Sequence, residues 1–253
     1  MKHQTIFLLF FCSILFCVQV NAQDSPVEYM NMIEKAEEEA NQKYLAYVST
    51  AAHSGRVKKI ERMRQQVLDG IVNSRNKVIA LPLYKGDKAL WQSSIDVACI
   101  AAACLAYYNG RVPRSGLNKD VLTLMALVHN IGALPLITEA ERQQDLLGDS
   151  RFLLFVATRL ATDVSVRILF AWSFDEPFHQ VALNWQKLQP EKPGPGYTDF
   201  IRLAVIARDG YSDKDVQQRL LDYYVNLQLV PQPDFMQHPE IQAVYQDVRA
   251  MFS

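Results

Sequence analysis

Apolar side chains recur with the 3.6-residue period of an amphipathic helix along almost the whole chain. A first stripe extends from Met30 to Ala51 and a second from Val57 to Val78, with a tight turn at His53-Ser54-Gly55 between them. The first stripe is flanked mainly by acids and the second mainly by bases, so we expect an antiparallel helical pair with complementary charged faces. The alternative for the basic run is a site for an anionic glycan or lipid headgroup.

A third helix is predicted over residues 87–108, and it is apolar nearly all round after Ile95. A helix of that kind is buried in the core of a protein. Residues 109–116 form a loop rich in glycine, proline and serine. We therefore divide the chain into an N-terminal helical bundle segment over 23–108, this loop, and a C-terminal helical region over 117–253.

Start and stop signals predict further helices after the loop. They span about 118–131, 138–148, 149–172, 175–188, 198–207, 212–229 and 239–252. Thr138 and Glu141 have the spacing of a capping box, which marks a helix start. The Pro/Gly string at 190–196 is a linker. Strand alternation is not sustained anywhere, so the sequence predicts an all-α irregular helical bundle or array of about nine or ten helices.

Residues 1–22 have the pattern of a cleavable secretory signal peptide. Lys2 is the basic start, residues 6–20 are the apolar core, and Val20-Asn21-Ala22 offers the small side chains of a cleavage site. The alternative, an uncleaved anchor, is disfavoured because a bilayer-spanning helix needs roughly 20 apolar residues. We therefore predict an exported protein, periplasmic or at the outer surface or extracellular, with no transmembrane segment in the mature chain.

The charge balance is nearly neutral, with 26 Lys and Arg against 27 Asp and Glu. Such a balance provides no long-range attraction for nucleic acid, which we exclude as a partner. Cys99 and Cys104 both lie in the apolar run of the third helix. Five residues along a helix turn the second thiol about 140° from the first, which favours free, buried thiols over the disulfide that export would permit.

Glu176 and His179 are the metal-ligand candidates, since Glu-x-x-His places two ligands on one helix face, as in di-iron bundles. Those sites use two copies of the motif and this chain has one. Pro177 also suggests a helix start, where an acid is explained by the helix dipole. His53, His129 and His238 lack the spacing of a zinc site, and no Gly-x-Ser-x-Gly occurs. The sequence assigns no catalytic residue and no cofactor.

The stretch from about Tyr29 to Asp96 resembles an uncharacterised family of bacterial exported surface proteins. The motifs that carry this resemblance are Tyr29-Met30-Asn31, Ala52-His53-Ser54 followed by Lys58, Glu61 and Arg64, then the run from Leu81 to Asp87, and Ser94. The resemblance implies an exported, surface-associated helical protein without an assigned activity, so there are no catalytic residues to transfer. It ends after Asp96, where this chain becomes strongly apolar.

These features favour a non-enzymatic protein that binds a protein or envelope partner or supports the envelope. The alternative is a small-molecule or metal-binding helical domain, with enzymatic activity left open. A third interpretation is a peptide-binding array formed by the helices after Thr138. The sequence leaves the oligomeric state open.

Overall fold

The computed structural model describes residues 88–141, 150–188, 194–208 and 214–252, together with isolated helical positions between Lys35 and Gln65. The predicted signal peptide, most of the first helical pair and the 190–193 part of the linker lie outside the described residues.

The described residues form eight α-helices and no strand. They are α1 Lys88–Arg111, α2 Lys119–Val128, α3 Ala133–Glu141, α4 Ser150–Ala171, α5 Glu176–Asn184, α6 Tyr197–Ala207, α7 Lys214–Asn226 and α8 Pro239–Ala250. One 3-10 turn, Phe235–Gln237, precedes α8. The all-α prediction is therefore confirmed for this part of the chain, whereas the count of about nine or ten helices stays a prediction.

Helix α1 is the centre of the fold. Seven of its residues between Ala98 and Leu105 have no exposed surface, and six of these seven are alanine or cysteine. Small side chains allow α2, α6 and α8 to approach on different sides, and all three pack against α1. The predicted burial of this helix is confirmed.

Two segments, Leu90–Arg111 and Lys119–Ile137, are long and apolar enough to cross a membrane by length and composition. Most of each is buried inside the protein, as in the core helices of soluble proteins, which meet the same criterion. The two segments are thus weak evidence for a membrane span.

The main core joins α1 to helices that follow the 109–116 loop. Val97, Ala101 and Leu105 of α1 belong to the same buried cluster as Phe200 and Leu203 of α6. The loop therefore does not separate α1 from the later helices. The division of the chain into a 23–108 segment and a 117–253 region stays a prediction.

A second buried cluster is formed by α3, α4 and α5. Gly132, in the turn between α2 and α3, lies against α4, and its amide donates to Ser165 Oγ at 2.9 Å. A Cβ at this position would lie 2.2 Å from the Ala161 carbonyl oxygen and 2.4 Å from the Ser165 amide nitrogen. Only glycine permits this approach of the two backbones.

Helix starts agree with the sequence where a cap is present. Asn118 caps α2 by accepting from the amides of Asp120 and Val121. The prediction that Thr138 and Glu141 form a capping box at a helix start is wrong, because α3 begins at Ala133 and ends at Glu141. The tight turn at residues 129–132 restarts the helix earlier, so Thr138 lies inside it.

Two helices end without the glycine that usually adopts the left-handed conformation. Ser173 after α4 and Gln228 after α7 have φ angles of 59° and 60°. After α4, the amide of Phe174 donates to the Leu169 carbonyl and that of Ser173 to the Phe170 carbonyl, both at 3.0 Å. The same pair of bonds closes α7, so both ends are Schellman motifs.

Candidate functional site

The structure places Glu176 and His179 in the first turn of α5, with Asp175 before the helix and Pro177 inside its first turn. His179 Nδ1 lies 3.4 Å from Glu176 Oε2, so the two side chains do share a face. Gln180 donates to Glu176 Oε1 at 2.6 Å. These hydrogen bonds, from Gln180 first and from His179 second, lower the pKa of the Glu176 carboxyl. Its ionised form at a helix start is the one that the helix dipole favours.

His179 has one notable feature. Its Nε2 is buried and has no hydrogen-bond partner, while Glu176 is largely exposed. Among the described residues, however, no group of three or more His, Cys, Asp or Glu side chains is placed to hold a metal ion. Glu176 and His179 are therefore a pair of neighbours, with no third ligand from this part of the chain.

His129 is an interior residue, as its partly apolar surroundings predict. It is buried at the end of α2, and its Nδ1 donates to the Ala126 carbonyl at 2.6 Å. Its ring meets Trp185 edge to face with centroids 4.8 Å apart. Burial, with a smaller contribution from the nearby Arg208 charge, lowers the pKa of His129 from its ordinary value of 6.5 to about 4. The imidazole is thus neutral at pH 7.

His238 occupies the N-cap position of α8 without a capping hydrogen bond from its side chain, and its ring packs edge-on against Tyr107 with centroids 5.5 Å apart. His53 lies outside the described residues. Cys99 and Cys104 are both buried and free, which confirms the prediction of unpaired thiols. Burial raises the pKa of each thiol, so both are protonated at neutral pH and neither is a nucleophile.

The most completely buried charged group in the described part is an ion pair that sequence reasoning missed. Asp199 Oδ1 accepts from Arg202 at 3.0 Å and from the Tyr224 hydroxyl at 2.9 Å, while its Oδ2 accepts from the Gly196 amide. Arg202 also donates to the Asn184 carbonyl at the end of α5. The network ties α5, α6 and α7 together, and its carboxylate faces protein donors. Asp199 and Arg202 have the i, i+3 spacing of an ordinary surface ion pair. Only the apolar residues beside them in the sequence could have indicated that the pair is buried.

Apolar side chains are exposed where α4 turns into α5, and we call this surface the aromatic corner. Phe170 is 68% exposed and its ring lies 6.2 Å from that of His179. Leu183, one turn after His179, is also exposed. Phe174 is half-buried and packs on Phe178 with centroids 4.6 Å apart. Exposed aromatic and leucine side chains grouped in this way are typical of surfaces that bind a partner.

No family model and no curated protein matches the chain. The chain is similar to a solved structure named "Putative metal-dependent phosphohydrolase from Shewanella amazonensis SB2B". The two share 27% identity and superpose with a TM-score of 0.62 over 75% of this chain. This chain spans 65% of that protein, about two thirds of its length.

The name of the Shewanella protein implies a metal. Among the described residues, Glu176 and His179 are adjacent, and no third His, Cys, Asp or Glu side chain is placed to complete a metal site with them. His129 uses Nδ1 for a backbone carbonyl and its ring packs on Trp185.

Proposed function

We propose that this protein is an exported helical binding protein that recognises a protein partner through the aromatic corner. The observation that carries the proposal is the exposure of Phe170 beside His179, with Leu183 one turn further along α5, since exposed apolar groups on one surface mark sites of partner binding. The buried ion pair is consistent with a non-enzymatic role, because Asp199 and Arg202 bond to each other and to neighbouring helices and so serve the fold. The export part of the proposal rests on the predicted signal peptide.

Site-specific photo-crosslinking in the producing cell tests this function. A photoreactive side chain replaces Phe170 in the full chain, and the matched control carries it in place of Leu124 on α2, which is also an exposed apolar side chain. We expect one partner protein to be captured from position 170 and not from position 124. The purified partner should then bind the wild type at least about tenfold more tightly than Phe170→Ser, because a buried aromatic anchor contributes more than about 1.4 kcal/mol. Equal capture at both positions, or equal affinity of both proteins, would contradict the proposal.

The second candidate is a small-molecule or metal-binding helical domain with enzymatic activity. The similarity to the Shewanella protein favours it, together with the adjacency of Glu176 and His179 and the unpartnered Nε2 of that histidine. Elemental analysis of the purified full chain decides it. A stoichiometric metal in the wild type that is lost in both Glu176→Gln and His179→Ala would support this candidate, and retention of metal in those variants would remove these residues from the site.

A further inference from the structure

Four polar side chains from three helices meet at one edge of the fold, and we call them the Asp96 cluster: Ser93, Asp96, Arg208 and Arg249. Ser93 and Asp96 lie one turn apart on α1. Arg208 is the C-cap of α6, and Arg249 is in the last turn of α8. The cluster therefore forms only when the two ends of the described chain have packed together.

The two arginines converge on a single carboxylate. Arg249 donates to Asp96 Oδ1, and Arg208 NH2 lies 3.5 Å from Asp96 Oδ2. Arg208 also bonds to the Ser93 hydroxyl and to the Ser93 carbonyl, the latter at 3.2 Å. Gln92 donates to Asp96 Oδ1 at 3.3 Å. Asp96 is therefore already shared between three donors.

The cluster carries a net charge of one positive unit, because two guanidinium groups face one carboxylate. Two titratable groups are coupled to these arginines and both are uncharged at pH 7: His129, whose pKa is lowered to about 4, and the Cys99 thiol, whose pKa is raised. The arginine side chains are 32% and 35% exposed, against 24% for Asp96, so the excess charge faces solvent.

Two guanidinium groups at one place are suited to a tetrahedral oxyanion. Each presents several N–H donors in a planar fork, which matches the spacing of phosphate oxygens better than an ammonium group does. The Ser93 hydroxyl adds a further donor. We propose that the Asp96 cluster binds a phosphate-bearing anion between Arg208 and Arg249, in competition with the Asp96 carboxylate. The site is separate from the aromatic corner and does not depend on the proposed function.

Binding of inorganic phosphate to the full chain tests the site. Calorimetric titration at constant ionic strength, with chloride as the comparison salt, should show saturable binding. Arg208→Gln and Arg249→Gln should each weaken it by about tenfold or more, since each removes charge-assisted hydrogen bonds. Arg114→Gln is the matched control, because Arg114 is an exposed arginine in the loop after α1. Its affinity should equal that of the wild type. Absence of saturable binding, or affinities unchanged in both cluster variants, would overturn the proposal.

Asp96→Asn distinguishes a binding site from a purely structural clamp. The substitution keeps the shape of the side chain and removes the competing negative charge, so phosphate should bind several-fold more tightly. Should the arginine variants fail to fold, as judged by their helical circular dichroism, this variant decides alone. Affinity for phosphate that stays the same or falls in Asp96→Asn would show that the arginines serve only the carboxylate, and the proposal would be wrong.

Discussion

Gly132 is the residue at which the backbone geometry is most demanding. Any Cβ there would overlap the backbone of α4 at Ala161 and Ser165, and backbone atoms cannot rotate away as a side chain can. Gly132→Ala should therefore separate α4 from the turn between α2 and α3. We expect a loss of at least about 1–3 kcal/mol in the free energy of unfolding, the usual cost of overpacking. Urea denaturation measures it.

Gly110→Ala is the matched control for that experiment. Gly110 lies near the end of α1 with nothing within 4 Å of an added Cβ. Alanine has the higher helix propensity, so this variant should be as stable as the wild type or more stable by up to about 1 kcal/mol. A Gly132→Ala protein no less stable than Gly110→Ala would refute the close approach described above.

His129 should make the protein sensitive to mild acid. Its folded pKa of about 4 lies below its ordinary value of 6.5, so between these values the unfolded chain binds a proton that the folded chain excludes. Stability should be fully present above pH 6.5 and should fall as the pH is lowered towards 4, by about 3 kcal/mol from this group. Urea titrations at pH 7, 6 and 5, followed by tryptophan fluorescence, measure the slope.

The comparison for this prediction is His129→Gln, which has no titrating group at the site. Its overall stability will differ, but its loss of stability between pH 7 and 5 should be smaller than that of the wild type. An identical slope in the two proteins would mean that His129 does not couple folding to protonation.

At the scale of helices, the Asp199 network fixes how α5, α6 and α7 meet. Asp199→Ala would leave Arg202, itself buried, without its carboxylate, and removing one partner of a buried ion pair costs about 3–5 kcal/mol. Asp222→Ala is the control, since Asp222 is exposed on α7 and bonds only to Gln218 in the described contacts. It should change stability by less than about 0.5 kcal/mol. Thermal unfolding of both variants compares them directly, and similar midpoints would contradict the structural role of Asp199.

Helix identity could be predicted from the sequence better than helix boundaries. Apolar periodicity placed α1, α2 and α4 correctly, because apolar runs are local signals. The end of α4 was predicted within about one residue although no glycine marks it, since Ser173 occupies the left-handed position. The helix start predicted at Thr138 was wrong because the local sequence has the pattern of a cap, whereas α3 begins earlier, at Ala133.

Site chemistry was less accessible to sequence reasoning than the helices were. Glu176 and His179 are adjacent as the spacing predicts, because i and i+3 positions always share a helix face. Asp96 is more than a hundred residues away from both Arg208 and Arg249 in the sequence, so their contact depends on tertiary packing. No local pattern encodes such a meeting.

For the whole molecule, export remains a prediction that one experiment can test. Expression of the full chain in a bacterial host should yield a secreted or periplasmic form that begins near Gln23, because signal peptidase cleaves after the small residue Ala22. N-terminal sequencing of the exported form identifies the site. A Leu8→Arg variant should accumulate in the cytoplasm at full length, because it interrupts the apolar core. A wild-type protein that keeps Met1 after export would contradict cleavage.

The central position of α1 also determines when the protein can fold. One side of this apolar helix is covered by α8, which begins more than a hundred residues after α1 ends. Until α8 has been synthesised, Ile95, Cys99 and Ala102 lack the cover that Val248 provides. The native packing around α1 therefore cannot form before α8 has been made. A chain that has to pass through a secretion channel unfolded would gain from this delay, whereas a product truncated before Pro239 would expose apolar side chains of α1 and aggregate.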